Sequence, residues 1–108
     1  MPYFTIKTTD NDTINSKNVA ETLHAGEYAT YALCIEDAIL RSVDLSNADF
    51  RYQDLQNINM DDAKLNRADF TGANLSGANM SETHMSHAIL NNANLYNCLL
   101  YTSPSPRD

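Results

Sequence analysis

The sequence predicts an all-β chain wound into a square coil, with a small α/β cap at its N-terminal end. Three observations predict it. A large apolar residue recurs at every fifth position: Ile35, Leu40, Leu45, Phe50, Leu55, Met60, Leu65, Phe70, Leu75, Met80, Met85, Leu90 and Leu95. Two places earlier stands a second register, Leu33, Ala38, Val43, Ala48, Gln53, Ile58, Ala63, Ala68, Ala73, Ala78, Thr83, Ala88 and Ala93, which is mostly alanine. Between the two registers the residue is mostly Asp or Asn, as at Asp44, Asp49, Asp54, Asn59, Asp69, Asn74, Asn79 and Asn94.

A helix returns its buried face every 3.6 residues and a strand every 2.0. A period of five smears large side chains around a helix and sends them to alternate faces of a strand. A chain that turns a corner once per five residues keeps them together. Each short side then points one large and one small residue inward and three polar ones outward. Four sides make a coil of about twenty residues, and coils stack at the strand spacing of about 4.8 Å, which pairs their backbone groups.

Residues 1–30 do not follow the repeat. Tyr3-Phe4-Thr5-Ile6-Lys7 alternates and reads as a strand, and Asp10-Asn11-Asp12 is a turn cluster. Asn18 with Glu21 three later reads as a capped helix start, with Val19 and Leu23 on one face and Gly26 as its stop. These elements are expected to cap the first coil, since a bare terminal coil exposes core and unpaired backbone. Residues 31–97 form the coil, with weak spots at Leu33-Cys34-Ile35, Gln53 and Ile58, where inward positions are too large or too polar. Residues 98–108 depart from everything before them. Pro104 and Pro106 cannot extend a ladder. The string resembles one reading frame of a sequencing-library adapter. It is therefore read as a non-native tail on a fragment whose natural chain continues past Asn97.

The segments Ala48-Asp49-Phe50-Arg51-Tyr52, Ala68-Asp69-Phe70-Thr71-Gly72, Ala73-Asn74-Leu75-Ser76-Gly77 and Ala78-Asn79-Met80-Ser81-Glu82 resemble the pentapeptide-repeat family, whose pattern is A-(D/N)-L-x-x. The resemblance covers about residues 33–97. It implies a right-handed quadrilateral β-helix in which residues twenty apart stack, Phe50 on Phe70 and Leu55 on Leu75 and Leu95. Leu40 to Leu95 form the core ladder of that fold.

The charge balance narrows the function. Seven Lys+Arg stand against 14 Asp+Glu, a formal charge of −7. Direct nucleic-acid binding and docking on an anionic membrane both need the opposite sign. Hydrophobic content of 43 % is enough for a core, and no apolar run reaches the length of a membrane span. Two cysteines and no signal-peptide pattern make the cytoplasm the default setting. His84 and His87 lack a third ligand, and Cys34 beside the cap reads as a buried structural thiol. No phosphate loop, nucleophile elbow or zinc signature is present. No catalytic residue, metal ligand or cofactor is therefore expected. The outward acids Asp44, Asp49, Asp54, Asp61, Asp62, Asp69 and Glu82 are the candidate interaction surface. The first expectation is a non-enzymatic scaffold for a protein partner. The second follows from the resemblance: some members of the family mimic duplex DNA and bind DNA gyrase, so a topoisomerase is the alternative partner. A third is an accessory repeat domain of a larger protein, and the full-length chain is allowed a homodimer.

Overall fold

The computed structural model describes residues 2–9 and 22–99. The strand read at Tyr3–Lys7 is present as β1, and it pairs antiparallel with β2, Thr22–Glu27. The register runs from Tyr3↔Glu27 to Ile6↔His24 and slips between Ile6 and Lys7, so that Lys7 faces Thr22. Ile6 is the buried member of β1. The helix expected over Asn18–Gly26 is corrected here. Its second half is β2, and Asn18–Glu21 lies outside the described residues. Pairing with β1 satisfies the backbone of this stretch, and that tertiary gain outweighs a local helix signal worth a few tenths of a kcal/mol per residue.

Tyr31–Leu40 is a helix, α1, where the sequence placed the first sides of the coil. Thr30 starts it: its backbone is extended at φ −141°, and its hydroxyl accepts from the Leu33 N–H at 3.2 Å. The five-residue step from Ile35 to Leu40 is a coincidence. In a helix five residues turn the face by about 140°, so the two cannot share a side. Ile35, Cys34 and Ala38 are buried, whereas Leu40 is 83 % exposed and does not belong to the core ladder.

From Arg41 onward the chain bends every five residues. The second residue of each bend has a positive φ, between 56° and 72°: Ser42, Asn47, Tyr52, Asn57, Asp62, Arg67, Gly72, Gly77, Glu82, His87, Asn92 and Asn97. The large residue before the bend accepts from the N–H three positions on, as in Ala63 N to Met60 O at 3.0 Å and Ala73 N to Phe70 O at 2.9 Å. A bonded turn with a left-handed third residue is what a type II turn requires. At the expected weak spot Gln53 this bond lengthens to 3.4 Å. Near Thr83 the threonine hydroxyl donates to Met80 O at 2.9 Å.

Residues twenty apart bridge in parallel, Asp49↔Asp69↔Ile89, Asp54↔Asn74↔Asn94, Asn59↔Asn79↔Leu99 and Lys64↔His84. The chain is thus a coil of twenty-residue turns with main-chain bonds from each to the next. It continues past the expected boundary at Asn97: Leu99 donates to Ala78 O and accepts from Met80 N, both at 2.8 Å. Residues 100–108 lie outside the described part.

Leu45, Phe50, Leu55, Met60, Leu65, Phe70, Leu75 and Met80 are all fully buried, and Met85, Leu90 and Leu95 are partly buried against them. Phe50 stacks on Phe70 with ring centroids 5.2 Å apart. The cap extends this column upward: Tyr31 lies 6.4 Å from Phe50, and Phe4 lies 5.7 Å from Tyr31. The cap also closes the first coil's ladder. Asp49 N donates to Lys7 O and Thr9 N to Asn47 O, each at 2.7 Å. Asn59 N donates to the Glu36 carboxylate of α1 at 2.8 Å, a place that Ile58 O fills for Asn79 N one coil below.

Candidate functional site

The Asp and Asn residues that precede the large positions do one local job. Each aims its side-chain oxygen at the N–H two residues ahead, inside the following bend. Asp44 accepts from Ser46 N at 3.0 Å and from its hydroxyl at 2.6 Å. Asp54 accepts from Gln56 N at 3.4 Å and Nε2 at 3.0 Å. Asp69 is nearly buried and accepts from Thr71 N at 3.0 Å and Oγ1 at 2.5 Å. Asn59, Asn74, Asn79 and Asn94 make the same main-chain bond at 3.1 Å. These are Asx turns, which need an acceptor oxygen and not a charge.

Asp49 is further engaged: Arg51 donates to it through Nε and Nη2, each at 2.8 Å. That guanidinium holds the Asp49 carboxyl below the usual carboxylate range, and the Ser46 bonds do the same for Asp44. The structure therefore divides the seven acids. Asp44, Asp49, Asp54 and Asp69 brace turns. Asp61, Asp62 and Glu82 occupy the bend positions themselves, with Asp61 and Asp62 exposed and Glu82 half-buried.

Asp61 and Asp62 open onto a groove of about 510 Å³ between α1 and the coil. Ile39, Leu40 and Val43 give it an apolar side, and Glu36 joins the two aspartates on its rim. The repeat carried through α1 puts Leu40 in the core ladder, and Glu36 is not among the seven expected acids.

A second feature missed in the sequence ties β2 to α1. His24 Nε2 lies 2.8 Å from the Tyr28 hydroxyl, which donates to Asp37 Oδ2 at 2.5 Å. Arg41 Nε donates to the same oxygen at 2.9 Å. The Asp37 bond pushes the Tyr28 phenol up to about 12, and Tyr28 and then Arg41 hold the Asp37 carboxyl down. Asp37 and Arg41 stand four apart at the end of α1, whereas His24 and Tyr28 come from β2 and the connection after it. His24, Tyr28 and Arg41 converge on one oxygen of Asp37, so the cluster braces the cap.

His84 is exposed on the coil, and His87 Nδ1 lies 3.0 Å from the Ser86 hydroxyl. Among the described residues no three His, Cys, Asp or Glu side chains are placed to hold a metal ion. Cys34 is a free buried thiol whose pKa burial raises. No helix among the described residues is long and apolar enough to cross a membrane.

A family model described as pentapeptide repeats (8 copies) matches residues 44–81 and 63–100, which together span more than half of the chain. No curated protein and no solved structure matches it.

Proposed function

The chain belongs to the pentapeptide-repeat family, and from that premise we propose that it is a non-catalytic scaffold that presents a rigid coil to a protein partner. The observation that carries this reading is the consumption of polar side chains by the fold. The Asx oxygens brace turns and the cap cluster is bonded within itself, while the bend positions stand outward on a repeating frame. Four bends in every twenty residues support a quadrilateral coil, and the resemblance implies right-handed winding. The scarcity of cysteine supports a cytoplasmic setting.

The gyrase-binding duplex mimic is the weaker reading. A mimic needs free carboxylates stacked at phosphate-like intervals. Asp49 and Asp69 are stacked, but the first is paired with Arg51 and the second is 9 % exposed.

Photo-crosslinking in cells that express the chain tests the scaffold. Benzoylphenylalanine is placed singly at Leu40, Gln56, Arg67 and Asn92, all exposed. A covalent adduct with another protein from at least one position is expected. Silence at all four would sink the reading.

A further inference from the structure

We propose that the groove between α1 and the coil is a docking surface for a basic amphipathic segment of a protein partner. The inference rests on the scaffold reading and names the place and chemistry of the contact.

α1 supplies the apolar half of the surface. One face buries Cys34, Ile35 and Ala38. The other carries Leu33 at 46 % and Leu40 at 83 % exposure. These leucines are seven residues apart, hence on one face and about 10 Å apart along the axis. Leu40 is the most exposed of the large hydrophobic residues described, and the groove of about 510 Å³ lies beside it. Leu40 lines the groove and Leu33, outside its lining, prolongs the exposed stripe along α1, a spacing that matches two apolar side chains one heptad apart on an incoming helix.

The charged half is the rim. Glu36, Asp61 and Asp62 face the groove against one cation, Lys64. Unlike the turn-bracing aspartates, Asp61 and Asp62 make no side-chain hydrogen bond or ion pair among the described residues. The consecutive acids occupy the two outward positions of one bend, with Asp62 held at φ 66°. A segment that carries Lys or Arg beside its apolar stripe meets complementary charge here. A second copy of this chain, or an anionic lipid or nucleic acid, brings like charge to the same rim.

The test uses a synthetic helical peptide of about 15 residues, fluorescein-labelled, with leucines on one stripe and lysines flanking it. Two companions replace every lysine by glutamate or every leucine by serine. Fluorescence anisotropy against the full chain is expected to show saturable one-to-one binding of the first peptide only. Leu40→Ser and the double variant Asp61→Asn/Asp62→Asn are each expected to weaken it at least tenfold. Asp54→Asn/Asp69→Asn, which removes two charges elsewhere and keeps the acceptor oxygens, is expected to change it less than twofold. Cooperative thermal melts exclude misfolding, and Leu33→Ser supplies a second apolar probe. Equal weakening by the two double variants, or indifference to both leucine variants, overturns the proposal. A Leu40-dependent dimer in sedimentation overturns it in favour of a second copy. Absence of peptide binding overturns it too. The scaffold reading then survives if crosslinks form at Gln56, Arg67 or Asn92, and falls with it if none forms anywhere.

Discussion

Replacing Asp69 separates two roles of an aspartate that its exposure alone cannot. If the position needs an acceptor oxygen, Asn serves and Ala does not. Asp69→Ala deletes two bonds, from Thr71 N at 3.0 Å and from Thr71 Oγ1 at 2.5 Å. Bonds to an ionised acceptor contribute about 1.5–3 kcal/mol each, and loss of a comparable cap costs about 0.5–2 kcal/mol. Because water can reach part of the vacated site, a net loss of about 2 kcal/mol is expected. Asp69→Asn keeps the oxygen and gives up charge assistance of about 1 kcal/mol. It also gives up the attraction between Asp69 and the Arg51 guanidinium on the neighbouring coil. A loss of about 1 kcal/mol, half that of Ala, is expected. Urea and thermal unfolding of the three chains provide the assay, and 2 kcal/mol corresponds to about 8–16 °C for a domain of this size. If Asn destabilises as much as Ala, charge holds the turn and the reasoning fails.

Phe70→Asp puts an unpaired carboxylate under Phe50 in the fully buried column; a loss above about 4 kcal/mol is expected, and an unchanged melt would show that Phe70 does not point inward. At Arg67, with φ 63°, Asn is expected to stabilise by about 0.5–1 kcal/mol and Val to destabilise by at least about 1 kcal/mol; equal urea midpoints for the two would refute the left-handed requirement. Asp37, Asp44 and Asp49 sit below their ordinary 3.8 in the folded chain. The stability they contribute is complete above about pH 5 and is lost as pH falls through 3.8 toward the lowered folded values. A urea midpoint that does not drop between about pH 6 and about pH 3 would contradict this.

The five-residue repeat was legible because burial enforces it: a misplaced Leu65 or Phe70 would leave a hole in a column with neighbours above and below. The same regularity misled at its upper end. Ile35 and Leu40 keep the step, but the Thr30 cap and its bond to Leu33 commit 31–40 to a helix. A threonine directly ahead of the apolar run Tyr31–Ile35 was the available signal. Thr22–Glu27 could not be read locally, since its strand state depends on β1. The turn-bracing role of the aspartates was half visible. Asn and Asp interchange at that position, so the shared property is an oxygen and the charge is incidental. Of the His24–Tyr28–Asp37–Arg41 cluster only the Asp37–Arg41 spacing of four was legible, and reading the repeat through 31–40 hid it; His24 and Tyr28 reach Asp37 only through the packing of β2 against α1.

The bend positions have a consequence for how such a chain acquires new partners. The second residue of each bend is constrained to a left-handed backbone, but the first is not. At Arg51, Gln56, Asp61, Asn66, Thr71 and Tyr96 it takes cationic, amide, acidic, amide, hydroxyl and aromatic side chains in turn. The frame fixes where each of these stands, in columns about 4.8 Å apart along the stack. A substitution there alters surface chemistry at a known coordinate and leaves the interior untouched. Recognition can then drift one position at a time, like type changed in a standing form, without renegotiating the fold.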